Sequence, residues 1–295
     1  MPYCPFCGSE ISEEDAFCSS CGAMLNGGVA PRPVPKGPDG KKVFATMLII
    51  CILLAAIGGA IVVALLNGGE TSSEGITRTY KWTYEDQSFS YTLAVSQSYY
   101  DRMMSSPIDR TGTVSADRYI DDGKTVFGVC DYVVVDERLM NVAEDLQALY
   151  KAKIGDFTTN DDYVKFVTAF VQICIKYDQA EASSGNEYWR YPMETLCDGK
   201  GDCEDTSILL AALIDAKGLK GGVILVPGHA MCAVRSTDLV GSYGNLRHSS
   251  VYDIDFYPIE TTYDSYHTIG SISSENEVLY LHMYAGNATD YYFKA

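Results

Sequence analysis

Apolar residues recur at Tyr163, Phe166, Val167, Phe170, Val171, Cys174 and Ile175, at i, i+3, i+4, i+7, i+8, i+11 and i+12. That is one face of an amphipathic helix, and Asn160 or Asp161 stands where its cap belongs. Leu139, Val142, Ala143, Leu146 and Leu149 predict a second helix, with Asp136 near its start. Ile208, Leu209, Leu210, Ala212, Leu213 and Ile214 are apolar nearly all round, so a third helix should be buried. Ahead of it, Tyr191 to Leu196 and Gly201 to Thr206, punctuated by Pro192, Gly199 and Gly201, predict a loop that delivers Cys203 to the first helical turn. Elsewhere the period is two. Tyr80, Trp82 and Tyr84, then Phe89, Tyr91, Leu93 and Val95, flank Glu85-Asp86-Gln87 and predict a β-hairpin with one aromatic face. Val126 to Val135 predicts an extended segment, and residues 97–125 carry little pattern. Val223 to Val226 reads as a buried strand, Pro227-Gly228 as a turn, and His229 to Val234 as the next strand. Val251 to Tyr257 and a short piece, Val278 to Met283, complete the strands. The fold class expected is α+β.

A different pattern occupies the N-terminal part. Val43 to Leu66 is an uncharged apolar run, long enough to span a bilayer at about 1.5 Å rise per residue. Arg32, Lys36, Lys41 and Lys42 precede it, while Glu70 and Glu74 follow. The positive-inside rule then predicts a cytoplasmic N-terminus and a C-terminal domain outside the cell membrane. Ala55 with Gly59, and Ala56 with Ala60, form small-xxx-small pairs that permit dimerisation through the span. Residues 26–41, rich in proline and glycine, read as a linker. Before them, Cys4, Cys7, Cys18 and Cys21 make two CxxC pairs, each closely followed by a glycine. Four thiolates at this spacing predict a structural zinc site with no open coordination position. The expected organisation is a zinc ribbon over 1–25, a linker over 26–41, a transmembrane helix over 42–66, a spacer over 67–76 and a domain over 77–295.

Charge sharpens the contrast between the halves. The net charge is −17, of which residues 1–66 carry four basic and five acidic side chains. The rest therefore has 18 basic against 34 acidic residues, which disfavours nucleic acid as a partner. Five cysteines lie beyond the apolar run: Cys130, Cys174, Cys197, Cys203 and Cys232. The number is odd, so at least one thiol stays free unless chains pair.

Cys203 is the one placed for chemistry. A helix N-terminus offers free N–H groups and the positive end of the macrodipole, both of which favour thiolate. Its neighbours Asp202, Glu204 and Asp205 oppose thiolate formation; Asp205 is expected to make a structural hydrogen bond. Among four histidines, His229 alone opens a strand after a tight turn. The order is a cysteine-headed helix, a histidine strand, then a strand leading to an acid, as nucleophile, base and orienting group require. Gly201-Asp202-Cys203-Glu204-Asp205, Val226-Pro227-Gly228-His229-Ala230 and Tyr257-Pro258-Ile259-Glu260-Thr261-Thr262 resemble the transglutaminase-like superfamily of papain-like cysteine enzymes. The likeness runs from about Tyr80 to Thr262, and is greatest to the prokaryotic, particularly archaeal, membrane-linked members. It implies a cysteine-bearing helix packed on an antiparallel sheet, with Cys203 as nucleophile and His229 as base. Glu260 stands at the third position, where the family usually has Asp; Asp253 and Asp255 are the alternatives. Cys203 N–H is an oxyanion donor and Gln172 a second candidate. The activity implied is acyl transfer to water or an amine through a thioester, on a protein or peptide substrate, with no catalytic cofactor. A non-catalytic binding module coupled to the zinc ribbon is the rival reading.

Overall fold

The computed structural model describes residues 75–106, 110–111, 119–121, 124–126, 128–184, 188–244, 246–248, 254–272, 280–283 and 291–294. The chain divides into two units, Met1–Gly68 and Gly69–Ala295. The expected zinc ribbon, linker and transmembrane helix fall in the first unit and lie outside the described residues. Among the described residues no helix is long and apolar enough to cross a membrane.

The second unit is α+β. It opens with strands β1 (Ile76–Tyr84) and β2 (Gln87–Val95), paired from Ile76↔Val95 to Tyr84↔Gln87. The turn residues Glu85 and Asp86 have φ of 46° and 59°, the left-handed pair that matches a two-residue hairpin's twist. Next come a short helix α1 (Gln97–Met104) and a small hairpin, β3 (Tyr119–Asp121) with β4 (Lys124–Val126). Where an extended run to Val135 was expected, Val129–Tyr132 instead coils into a 3₁₀ turn. The Asp131 carboxylate accepts from the N–H of Gly128 at 2.8 Å, a local bond that competes with strand geometry.

Helix α2 (Glu137–Lys153) is capped by Asp136, which accepts from the N–H of Leu139 at 2.9 Å. Helix α3 (Asn160–Cys174) has its cap one residue before Asn160, the first of the two positions expected for it. Thr159 is the cap, and Asp162 reaches back to accept from its N–H at 3.0 Å. The aromatic face of the hairpin lies on α3. Trp82 has ring centroids 5.3 Å from Phe89, 5.7 Å from Phe166 and 5.1 Å from Phe170. Such pairs add about 0.5–1.5 kcal/mol each beyond simple burial.

The chain then forms β5 (Lys176–Tyr177), α4 (Gln179–Ala182), α5 (Pro192–Asp198), β6 (Lys200–Gly201) and α6 (Cys203–Asp215). The stretch expected as a loop around Pro192 is thus the helix α5. Proline at the first helical position lacks only an N–H that would be unpaired there, and Gly199 closes the helix with φ 64°. The remaining strands are β7 (Gly221–Val226), β8 (His229–Arg235), β9 (Leu246–His248), β10 (Ile254–Ile259), β11 (Tyr280–Met283) and β12 (Tyr291–Lys294). They form one antiparallel sheet in the order β12-β11-β7-β8-β10-β9. Residues 251–253 of the strand expected from Val251 lie outside the described residues.

Helix α6 packs on β7 and β8. Ile208, Leu209, Leu210, Leu213 and Ile214 are wholly buried; each side chain contributes about 1.5–3 kcal/mol relative to exposure. A Cβ on Gly221 would lie 2.3 Å from the Ala211 carbonyl oxygen, so only glycine lets β7 approach α6 this closely.

Candidate active site

Cys203 heads α6, with Asp202 as the cap residue in extended conformation. Its turn is anchored from behind by Arg190. The Arg190 N–H donates to Asp205 Oδ1 at 2.8 Å, and its guanidinium to Asp205 Oδ2 at 2.5 Å. The same guanidinium meets Glu181, Asp198 at 3.3 Å and Asp178 at 3.6 Å. Asp205 is fully buried and takes the structural hydrogen bond expected of it. A Cβ on Gly201 would stand 2.6 Å from Asp205 Cβ, so the glycine permits the chain to enter the helix here.

His229 opens β8 beyond Pro227-Gly228, where Gly228 takes φ 70°. Strand β10 pairs with β8 through Ile259↔Cys232, and Glu260 follows directly. His229 Nε2 lies 2.8 Å from Glu260 Oε2. The other carboxylate oxygen accepts from the N–H of Thr261 at 2.9 Å, the N–H of Thr262 at 3.1 Å and the Thr262 hydroxyl at 2.8 Å. Burial opposes charge on Glu260, yet its bonds to His229 and Thr262 outweigh it and hold the carboxyl below the usual glutamate range. The bond to Glu260 in turn raises the His229 pKa, against burial, which lowers it; the charges of Glu260 and Glu204 add to the rise. The Thr261 hydroxyl lies 2.8 Å from that of Thr206 and 3.1 Å from that of Ser207, which ties the Glu260 loop to the first turns of α6.

The thiol faces the main chain of Ala230, the residue after His229, whose N–H favours its ionised form. Its own proton is directed elsewhere: Cys203 Sγ donates to Glu204 Oε2 at 2.9 Å. Burial foremost, then the charge and hydrogen bond of Glu204, raise the thiol pKa strongly. Burial, with the charge of Asp202, pushes the Glu204 carboxyl up to about 7. Cys203, His229 and Glu260 therefore come from three neighbouring elements, with histidine and acid directly bonded and the thiol resting against Glu204.

Gln172, the second oxyanion candidate, is buried. Its amide nitrogen donates to the carbonyls of Glu260 at 2.7 Å and His267 at 3.2 Å, and its oxygen accepts from the His267 N–H at 2.9 Å. Both amide hydrogens are committed, so in this arrangement it positions the 260–267 segment and has no donor left for an oxyanion. Asp255 is half-buried on β10, and Asp253 lies outside the described residues. Cys174, Cys197, Cys203 and Cys232 are all free thiols.

Pattern reading missed Thr262 and Arg190, because hydrogen-bonding roles leave no periodic trace in the residue order.

The fold and this arrangement define an α+β domain with a cysteine-headed buried helix beside a histidine–glutamate pair. At the other end of the chain, residues 3–25 match the zinc-ribbon domain family. No curated protein and no solved structure matches the chain. The zinc-ribbon match supports structural zinc bound through Cys4, Cys7, Cys18 and Cys21. These residues lie outside the described part; as a donor set, four thiolates in two CxxC pairs suit tetrahedral zinc.

Proposed function

We propose that residues 77–295 form a transglutaminase-like cysteine enzyme with a papain-like core, acting by acyl transfer through a thioester. The observation that carries this reading is the 2.8 Å bond from His229 Nε2 to Glu260 beside the cysteine at the head of α6. With Nε2 held by the carboxylate, Nδ1 is the nitrogen left to take a proton. In the reaction Cys203 gives its proton to His229, and Sγ attacks the carbonyl carbon of a peptide or carboxamide. The oxyanion that forms faces the Cys203 main-chain N–H at the positive end of α6. Collapse of the intermediate breaks the C–N bond as His229 protonates the leaving amine, which leaves the acyl group on sulfur. Water activated by His229 releases the acid and restores the thiol. A lysine amine in place of water gives a cross-link; hydrolysis is favoured because it needs no second acceptor site.

The apolar run at 43–66 makes this a single-pass membrane protein, with the zinc ribbon in the cytoplasm and the enzyme outside. Reduced zinc thiolates accord with a cytoplasmic ribbon. The thiol's bond to Glu204 favours a second reading, a non-catalytic binding module whose cysteine rests neutral. A cysteine-directed activity probe on wild type and Cys203→Ala separates the two. Labelling lost in the variant supports the enzyme, and equal labelling refutes it. Externally applied thiol reagent reaching Cys4 or Cys21 in intact cells overturns the orientation.

A further inference from the structure

Strand β5 fixes Tyr177 beside the entry to the cysteine helix. It pairs in parallel with β6, Tyr177 opposite Gly201, and Cys203 follows Gly201 by two residues. The N–H of Lys176 donates to the Gly199 carbonyl at 3.1 Å, and that of Asp178 to the Gly201 carbonyl at 2.9 Å, so the chain is pinned on both sides of Tyr177. The Tyr177 side chain lines a cavity of about 200 Å³ together with Thr206, Thr261 and Thr262. All three threonines belong to the candidate site. Thr206 Oγ1 lies 2.8 Å from the Asp202 carbonyl and 3.3 Å from that of Cys203. Thr261 is bonded to Thr206, and Thr262 to the Glu260 carboxylate. The phenol responds to the same groups. Burial foremost, then the charges that Cys203, Asp202, Glu204 and Glu260 carry when ionised, push its pKa up to about 12. The Tyr177 hydroxyl therefore keeps its proton, and it has no hydrogen-bond partner among the described residues.

We propose that the Tyr177 hydroxyl is the second oxyanion donor of the site, acting beside the Cys203 main-chain N–H. This rests on the enzymatic reading above. Attack by Sγ turns the carbonyl oxygen of the acyl donor into an alkoxide, which needs donors already in place. Gln172, the side chain expected to help, has both amide hydrogens spent on the 260–267 segment. The hydroxyls of Thr206 and Thr262 face the same cavity but already donate to the Asp202 carbonyl and to Glu260. Of the two tyrosines in the lining, Tyr263 stacks on His267 with ring centroids 3.7 Å apart, whereas Tyr177 is set against Cys203. The sulfur has its own donor in the Ala230 N–H, so Tyr177 serves the oxygen that forms rather than the thiol. A donor that is unspent in the resting site and bonded only when the oxyanion appears lowers the barrier without holding the substrate tighter.

The test compares two reactions of Cys203 in the full-length protein, wild type and Tyr177→Phe. With p-nitrophenyl acetate, Sγ attacks the ester carbonyl as the thiol proton passes to His229. An S–C bond forms and an oxyanion develops; the C–O bond then breaks, p-nitrophenolate leaves with its electron pair, and acetyl-Cys203 remains. The rate is the p-nitrophenolate release that Cys203→Ala abolishes. With iodoacetamide the sulfur displaces iodide at a saturated carbon, and no oxyanion forms. Tyr177→Phe should acylate about tenfold more slowly, less than the loss from an enclosed donor because Tyr177 is 42% exposed. Its alkylation of Cys203 by iodoacetamide, followed by peptide mass mapping, should stay within about twofold of wild type, which also shows the fold and the thiol intact. Acylation that is unchanged, or that falls only in step with alkylation, overturns the oxyanion assignment while iodoacetamide labelling still upholds the thiol. Failure of iodoacetamide to label Cys203 in wild type overturns both readings.

Discussion

Glu204→Gln should make Cys203 more reactive, and by an amount set by one short distance. The carboxylate oxygen is 2.9 Å from the thiol sulfur. A unit charge at that separation opposes thiolate formation by about 1.4 kcal/mol in a water-like medium, and by about 6 kcal/mol at an effective dielectric of 20. Even the smaller figure corresponds to about one pKa unit. Where thiolate is the minor form, this means an alkylation rate at least about tenfold higher. The groups that act on Glu204 are Asp202, the cap of α6, and Cys203, and His229 on β8 feels the Glu204 charge in turn. Only Glu204 changes in the variant. Because its carboxyl titrates at about 7, wild type carries the opposing charge above that pH and loses it below. The ratio of variant to wild-type rates should thus be large near about pH 8.5 and approach one below about pH 5.5. Iodoacetamide labelling of Cys203, mapped by mass spectrometry across this range, measures it. A ratio of one at high pH, or a slower variant, refutes the electrostatic account.

Three further outcomes are expected. Glu260→Gln keeps the shape but removes the charge and bond that raise the His229 pKa, so the imidazole should titrate at lower pH in an NMR titration. Turnover should also fall by about 10²-fold or more, from loss of the oriented base. Arg190→Met strands Asp205 and its companion carboxylates in a buried site, and should cost about 3–5 kcal/mol in denaturant unfolding. Cys4→Ser with Cys7→Ser removes half of the thiolate set, so the full-length protein should lose its stoichiometric zinc by elemental analysis.

Helices α2, α3 and α6 and the aromatic hairpin were legible because each buries one continuous face, and a face leaves a period in the residue order. The buried sheet strands β7 and β8 were legible as apolar runs bounded by turns. Helix α5 was not, since proline and glycine punctuate loops and also start and end short helices; packing against α6 selects the helix. The β5–β6 pair was invisible, because strands of two residues carry too few positions for a pattern. The separation of a Cys-rich N-terminus, an apolar run and an acidic C-terminal part is a matter of composition, so the residue order alone determines it. So are the candidates Cys203, His229 and Glu260, each named by the segment around it. Tertiary structure alone decided their relations. It placed His229 on Glu260 across two paired strands, spent the amide of Gln172 on the loop that follows Glu260, and turned the thiol proton to Glu204. Those outcomes depend on distances between residues far apart in the chain, and hydrogen bonds and charges act over a few ångströms of space rather than over positions in sequence.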